Sequence, residues 1–233
     1  MPFWMHSQMD IGEDVVSPYL WTRGIERLDA IALTHAHADH MAGFLSIIPN
    51  FRPHELWLPE TVPQDEIRTL LRIANRYGVR LVFLKAGDSF VYGGATVRVL
   101  APDPAFPVCS GHRNDESLIM KIIYGGTSVL LEADAEKGTE QLISREQPEA
   151  DVLKVAHHGS ASATNQDFLA IVRPRYALIS VGRRNVYRHP RREVLQRLQE
   201  NDVQTYRTDM DGATSFYLDG KTVSVQVPQF PHQ

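Results

Sequence analysis

A short run of the sequence gathers three histidines and an aspartate directly after an apolar segment. Residues 28–33 have the composition of a buried strand, and they lead into Thr34-His35-Ala36-His37-Ala38-Asp39-His40. In extended backbone, residues two apart point to the same side of the chain, so His35 and His37 can bind one ion together. If a helix begins at Asp39, then Asp39 and His40 face the same spot and can bind a second ion.

The residue types of this run suit divalent metal ions. Neutral imidazole and carboxylate are ligands of zinc, and also of manganese or iron where carboxylates share the site. Taken singly, Asp39 could be only a helix cap, and a lone histidine is more often an ordinary surface or core residue. Because Cys109 is the single cysteine, an internal disulfide and a multi-cysteine zinc cage are excluded, and Cys109 itself is interpreted as an ordinary thiol.

The bulk properties predict one domain over residues 1–233. With 233 residues and 43% hydrophobic composition, the chain is long enough to bury a full core. The formal net charge of -4 argues against a surface that binds nucleic acid everywhere, but it permits a local basic patch. No apolar stretch approaches the ~20 residues that span a bilayer, and residues 1–8 lack the features of a secretory signal. We therefore expect a soluble chain, cytoplasmic as given.

Apolar runs and amphipathic stretches alternate along the chain, which predicts an α/β fold. We expect helices at residues 12–21, 39–48, 63–77, 136–143, 166–172 and 191–200. We expect strands at residues 28–33, 55–58, 81–84, 96–100, 152–156 and 176–181, and hairpins that pair 117–124 with 127–131 and 213–218 with 222–227. Parallel and antiparallel pairing should therefore coexist.

The histidine run, residues 33–40 followed by Gly43, resembles the signature of the metallo-β-lactamase superfamily. Later segments resemble, in the same order, the soluble hydrolase domain of ComEC-type competence proteins, which act in DNA uptake. These segments are Asn114-Asp115-Glu116-Ser117-Leu118, Leu130-Leu131-Glu132-Ala133-Asp134, Asp151-Val152-Leu153-Lys154-Val155-Ala156-His157-His158-Gly159-Ser160, Ser180-Val181-Gly182, Asn185, Tyr187, His189-Pro190, Thr208-Asp209 and Gly212-Ala213. The resemblance implies an αββα sandwich of mixed sheets and two divalent metal ions, zinc or manganese.

The resemblance also implies further site residues. Asp134 becomes a metal ligand that bridges both ions, although it could instead cap the following helix. One of His157 and His158 should complete a metal site. Adjacent residues of an extended strand point to opposite sides, so we favour His157 as the ligand and expect a supporting or substrate-contacting role for His158. His189 is interpreted as a last ligand or a proton donor, or as an exposed loop residue. Catalytic roles are thus predicted for Asp39, His158 and His189.

The segment around His189 is rich in positive charge, with Arg191 and Arg192 at a predicted helix start. Because the helix dipole disfavours cations there, these arginines favour an anionic partner, and pairing with Glu193 or Glu200 is the alternative. The aromatic ring of Tyr187 could stack on a base. Ser160, which follows the two histidines, could bind phosphate or cap a turn. The predicted substrate-binding residues are Ser160, Arg183, Arg184, Asn185, Tyr187 and Arg188.

Together these features predict a metal-dependent hydrolase in which a metal-activated water attacks a phosphorus or carbonyl centre. The resemblance implies a phosphodiesterase or nuclease that acts on single-stranded DNA. It also implies a membrane channel as partner and a location at the membrane outside the cytoplasm. Two alternatives stay open. One is a small-molecule hydrolase of a lactone, thioester or β-lactam, and the other is a non-catalytic module.

Two departures from the family pattern bear on stability and activity. Relatives open with a strand pair carrying Gly-Gln-Gly-Asp and then Asp-x-Gly, whereas this chain begins after both. We therefore expect an N-terminal truncation that removes part of the first sheet. The glycine usually found before the aspartate ligand is replaced by Ala133, which is tolerated only if the backbone angles suit a residue with a Cβ atom.

Overall fold

The computed structural model describes residues 9–105 and 113–228. They belong to two compact units, Met1–Leu84 and Lys85–Gln233, each with its own sheet. The predictions for Cys109 and for residues 1–8 fall outside the described residues. Within the described ranges, no helix has the length and the apolar character that crossing a membrane requires.

The unit Met1–Leu84 contains a three-stranded parallel sheet in the order β1-β2-β3. Its strands are β1 (Ala30–Ala32), β2 (Glu55–Pro59) and β3 (Arg80–Leu84). Its helices are α1 (Ser17–Thr22), which continues a π-helical turn at Gly12–Val16, α2 (Ala38–Met41), α3 (Phe44–Phe51) and α4 (Arg68–Arg76). Parallel neighbours need crossover connections, which here contain α2 and α3 and then α4.

The core of this unit fixes the end of β1. Four of the five residues of β2 are buried, as expected for a central parallel strand covered on both faces. Helix α3 buries Ile47, Ile48 and Phe51, which recur at helical spacing. Leu33 is fully buried among these side chains. Because Leu33 directly precedes the histidine run, its burial holds the start of that run in place.

Two predicted helices of this unit differ from the structure. The helix expected at residues 39–48 is divided into α2 and α3, since the N–H of Leu45 donates to the carbonyl of Ala42, three residues back, and interrupts the regular helical pattern. The backbone of Gly12 makes a close approach to Gly43 here. The helix expected from residue 63 begins only at Arg68. Before it, the N–H of Glu66 donates to the carbonyl of Pro63 in a tighter turn. The three predicted strands and the helix at residues 12–21 are confirmed, with small shifts at their ends.

The unit Lys85–Gln233 contains, in its described part, a seven-stranded mixed sheet in the order β10-β9-β8-β7-β6-β5-β4. The strands are β4 (Ser89–Tyr92), β5 (Ala95–Ala101), β6 (Ile119–Tyr124), β7 (Thr127–Leu131), β8 (Val152–Lys154), β9 (Tyr176–Ile179) and β10 (Gln204–Arg207). The pairs from β4 to β7 are antiparallel, and the pairs from β7 to β10 are parallel. The predicted coexistence of both kinds of pairing is confirmed.

Helices follow the parallel strands of this unit. They are α5 (Lys137–Ile143), α6 (Gln166–Val172), α7 (Arg192–Glu200) and α8 (Thr208–Asp211). Their apolar side chains meet the strands in a core that includes Ile143, Leu153, Leu169 and Leu198. A separate antiparallel pair, β11 (Ser215–Leu218) and β12 (Val223–Gln226), is the hairpin expected near the end of the chain.

The sequence predicted most of this unit, but not β4, β10 or the short helix α8. The hairpin of β6 and β7 closes at Gly125 and Gly126 as expected, and α6 has the predicted bounds. Strands β4 and β10 were not predicted. Both lie at edges of the sheet, and their half-exposed side chains give no clear apolar alternation. The α/β class is therefore confirmed, whereas the prediction of a single domain stays a prediction.

The close approach of Gly12 and Gly43 gives a test of the packing in Met1–Leu84. A Cβ atom on Gly12 would lie 2.1 Å from the carbonyl oxygen of Gly43, so Gly12→Ala should lower the free energy of unfolding by about 1–3 kcal/mol. Gly182→Ala is the matched control, since no atom lies within 4 Å of the added Cβ there. Urea unfolding measures both, and equal stability of the two variants would show that the contact is unimportant.

Candidate functional site

The histidine run folds so that three imidazole rings meet at the end of β1. His35 Nε2 lies 3.0 Å from His37 Nδ1, and the two ring centroids are 4.5 Å apart. The ring of His40 lies 4.2 Å from that of His35. His35 is 2% exposed. The structure brings His35 and His37 together, and His40 joins them.

Two ring nitrogens at this distance have the spacing of neighbouring ligands of one ion. For tetrahedral zinc with Zn–N bonds of about 2.0–2.1 Å, neighbouring nitrogens lie roughly 3.3 Å apart. His37 is in extended backbone at the N-cap of α2, and His40 follows one turn into that helix. The Asp39 side chain is 65% exposed, and its Oδ2 lies 3.8 Å from His40 Nε2. The imidazole and carboxylate donors of this run fit a divalent metal ion.

Thr34 contacts two of the rings and was given no role from the sequence. Its Oγ1 lies 3.1 Å from His35 Nδ1 and 3.3 Å from His40 Nδ1. A hydroxyl oxygen has two lone pairs, so it can accept a hydrogen bond from each Nδ1–H. That arrangement leaves the Nε2 atoms of both rings as electron-pair donors. The signal in the sequence was a hydroxyl residue, Thr34, directly before the first histidine.

In Lys85–Gln233, Asp134 lies just beyond β7 and contacts both neighbouring histidines. Its side chain is 3% exposed. Its Oδ2 lies 3.9 Å from His157 Nε2 and 3.7 Å from His158 Nε2. Ala133 before it has a left-handed φ of 51°, so the replacement of glycine places a Cβ atom on a backbone that favours glycine.

The backbone of His157 and His158 is not extended, which corrects the geometry assumed from the sequence. β8 ends at Lys154, and the two histidines have left-handed φ angles of 45° and 53° within a 3-10 turn at Ala156–Gly159. Gly159 also has a positive φ of 83°, and a Cβ atom there would lie 2.6 Å from the Cβ of Pro190. The chain therefore turns sharply at this glycine. Because of it, both rings contact Asp134 instead of pointing to opposite sides.

The hydrogen bonds of the two rings favour His158 as the metal ligand, whereas the sequence favoured His157. His158 Nδ1 lies 2.8 Å from the carbonyl oxygen of Ser180, which only accepts hydrogen bonds. Nδ1 therefore carries the proton, and Nε2 presents its lone pair beside Asp134. His157 Nδ1 instead lies 3.5 Å from Glu136 Oε1 and 3.4 Å from Asn114 Nδ2.

His189 lies beside these rings on the loop that follows β9. Its ring centroid is 5.9 Å from that of His157, and Tyr187, 59% exposed, stacks on it at 6.0 Å and 13°. Burial lowers the pKa of His189, and electrostatic interactions with His157, Arg191 and His158 lower that pKa further, whereas the Asp134 carboxylate raises it. Nδ1 of His189 is buried and makes no hydrogen bond to the described residues.

The predicted substrate-binding residues divide into two groups. Asn185 holds the loop: its amide nitrogen donates to the carbonyls of Gly182 and His189, and its Oδ1 accepts from the N–H of His189. Ser160 Oγ lies 3.0 Å from Ser162 Oγ. The remaining predicted residues, Arg183, Arg184, Tyr187 and Arg188, are exposed on the loop after β9. Arg191 and Arg192, at the start of α7, are exposed as well.

Of the exposed arginines, Arg183 has an identified partner, since its Nε donates to the carbonyl of Asp209. Within the described ranges, no ion pair joins Arg191 or Arg192 to Glu193 or Glu200. The alternative that these glutamates neutralise the arginines is therefore not met. Positive charge is concentrated on the loop that carries His189.

Comparison with known proteins identifies a family and several relatives. The model of the metallo-beta-lactamase superfamily matches residues 4–183. The chain is 35% identical to ComE operon protein 3 of Bacillus subtilis, over 97% of this chain and 30% of that protein. It is 31% identical to Recombination protein 2 of Haemophilus influenzae and 28% identical to Competence protein ComA of Neisseria gonorrhoeae, over 84% and 91% of this chain and 23% and 28% of those proteins. The chain thus spans less than a third of these relatives.

Two solved structures share the fold. One is the diiron beta-hydroxylase CmlA from Streptomyces venezuelae, with a TM-score of 0.55, 16% identity and coverage of 78% of this chain and 44% of that chain. The other is the metallo-beta-lactamase fold protein YhfI from Bacillus subtilis, with a TM-score of 0.52, 17% identity and coverage of 77% and 74%. At these identities the likeness concerns the fold alone. The predicted fold and the predicted resemblance to competence proteins are confirmed.

A buried carboxylate close to Asp134 makes stability depend on pH. Glu132, two residues before Asp134, is 0% exposed. Burial raises the pKa of Glu132 well above its usual value, and the nearby Glu140 carboxylate raises that pKa further. Folding therefore takes up a proton. The stability that Glu132 contributes is fully present below about pH 4.3 and is lost as pH rises through its folded-state pKa.

We expect Glu132→Gln to remove this dependence, because the amide does not ionise. The free energy of unfolding of the variant, relative to the unaltered chain, should increase between pH 5 and pH 8 in urea titrations. Glu146→Gln, which removes an exposed carboxylate, controls for the loss of one negative charge. A difference between variant and unaltered chain that stays constant with pH would mean that Glu132 does not change protonation on folding.

Proposed function

This chain belongs to the metallo-beta-lactamase superfamily, whose fold is that of metal-dependent hydrolases, and we propose that it hydrolyses phosphodiester bonds of single-stranded DNA. The observation that carries the proposal is the match to three competence relatives over 84–97% of the chain. A role in DNA uptake, a membrane channel as partner and a location at the membrane outside the cytoplasm are parts of the same proposal.

Metal ligands are proposed in the histidine run and, separately, among the residues around Asp134. They are His35, His37, Asp39, His40, Asp134 and His158, the last in place of His157. Imidazoles and carboxylates without sulfur suit zinc and also manganese. When bound, a pair of such ions would activate a water and stabilise the negative charge that develops during attack. The ligand geometry described for each run of residues supports this set.

His189 is proposed as a further ligand. A proton donor needs the protonated ring, which burial and the neighbouring positive charges disfavour. The neutral ring presents one nitrogen with a lone pair, as a ligand requires. Tyr187 stacks on the ring of His189 and limits the rotation of that ring. The tyrosine therefore helps to position His189.

The arginines on the His189 loop are proposed to bind the phosphates of the strand. Arg184 and Arg188 are exposed and lie on either side of Tyr187 in the sequence. One face of the Tyr187 ring stacks on His189, and the exposed part of the ring is available for a base. Guanidinium groups pair with phosphate oxygens in a bidentate manner, and aromatic faces accept any base. This combination supports a single strand as substrate over a neutral lactone or thioester.

The nuclease proposal is tested with a labelled single-stranded oligonucleotide in manganese or zinc. We expect metal-dependent cleavage, and we expect His158→Ala to lower kcat/KM by about 100-fold or more because a metal ligand is lost. His54→Ala is the control, since His54 is exposed and outside the proposed site. Cleavage of a lactone or thioester with no cleavage of DNA would instead identify a small-molecule hydrolase.

The phosphate contacts are tested by the salt dependence of binding. In Arg184→Ala/Arg188→Ala, the slope of log affinity for single-stranded DNA against log salt should fall by about 1.4, since each lost phosphate contact contributes roughly 0.7. Arg68→Ala/Arg72→Ala on α4 removes the same charge from exposed positions and is the matched control. An equal slope in both double variants would show that this loop does not bind the strand.

A further inference from the structure

Thr208 is connected to His158 through one peptide group. The hydroxyl oxygen of Thr208 lies 2.7 Å from the N–H of Val181, which donates to it. The carbonyl of the same peptide belongs to Ser180, and it accepts from His158 Nδ1 at 2.8 Å. Because a peptide group is planar, fixing its N–H also fixes the direction of its carbonyl oxygen.

The strand register places the hydroxyl where backbone pairing ends. β10 pairs with β9 up to Arg207 opposite Ile179. Beyond that pair the backbone turns into α8, so no N–H or carbonyl of the next residue continues the ladder. The hydroxyl of Thr208 makes these hydrogen bonds instead. It accepts from the N–H of Val181, and it donates to the carbonyl of Val181 at 2.8 Å.

Thr208 is itself held by contacts on both sides. Arg207 pairs with the carboxylate of Asp209 through two nitrogens, at 3.0 and 2.7 Å. The N–H of Arg207 donates to Asp211 Oδ2 at 2.7 Å, and Arg183 Nε donates to the carbonyl of Asp209 at 2.9 Å. The segment that presents the hydroxyl is therefore fixed at its own start and to the loop after β9.

We propose that Thr208 is a positioning residue that sets the tautomer and orientation of His158 through the Ser180–Val181 peptide. The inference rests on the proposed role of His158 as a metal ligand, but the tautomer does not depend on metal or activity. Hydrogen bonds in series polarise one another, so a peptide whose N–H is engaged accepts more strongly at its carbonyl. A fixed Nδ1–H leaves Nε2 as the ligand atom.

The test compares Thr208→Val, which removes the hydroxyl and keeps the shape, with Thr208→Ser, which keeps the hydroxyl. Two quantities are measured on the full chain at pH 8. The His158 tautomer is read from nitrogen-15 spectra of histidine-labelled protein, and zinc affinity is read by competition with a chelating dye. Thr205→Val is the matched control, because Thr205 lies in β10, three residues before Thr208, and its Oγ1 donates to the carbonyl of Val203, at 3.2 Å.

We expect Thr208→Val to lose the Nδ1–H form of His158 as the dominant tautomer and to bind zinc about 10-fold more weakly. Thr208→Ser and Thr205→Val should behave as the unaltered chain does. An unchanged tautomer in Thr208→Val would overturn the inference, as would an Nε2–H tautomer in the unaltered chain, a result that needs no variant to fold. If the unaltered chain binds no zinc, the proposed function fails, and the tautomer still decides the role of Thr208.

Discussion

The parallel pairing of β7, β8 and β9 determines where the proposed ligands of Lys85–Gln233 lie. Parallel strands end at the same edge of a sheet, and here Leu131, Lys154 and Leu178 are aligned in register. Asp134 follows the first strand, His158 the second and Ser180 the third. A slip of one residue in any of these strands would move its side chains to the other face of the sheet. The strand register therefore determines both which apolar side chains enter the core and where these polar groups lie.

In each unit a threonine hydroxyl is connected to the proposed histidine ligands by hydrogen bonds. Thr34 contacts Nδ1 of His35 and His40 directly, and Thr208 acts on His158 through a peptide. Thr34 thus engages Nδ1 of its two rings, and the Ser180 carbonyl engages Nδ1 of His158. Both arrangements favour the Nδ1–H tautomer and leave Nε2 as the proposed ligand atom. A hydroxyl accepts a hydrogen bond from an N–H group without adding charge, whereas a buried carboxylate such as Glu132 makes stability depend on pH.

The sequence alone predicted what depends on local spacing. Alternation in extended backbone brings His35 and His37 together, and the spacing that defined α6 and both hairpins is likewise local. The geometry of His158 was missed because no local pattern records the left-handed backbone of His157 and His158, or the close approach of Gly159 to Pro190 after it. Edge strands such as β10 were missed because they bury too little to show a period. The fold does not by itself fix the chemistry, since a beta-hydroxylase shares it.

Elemental analysis of the purified full chain tests most directly whether the proposed ligand residues hold divalent metal. We expect about two divalent ions per chain, with at least one lost in His35→Ala and in Asp134→Ala and none lost in His54→Ala. A chain without bound divalent metal, or variants at His35 and Asp134 that keep both ions, would contradict it.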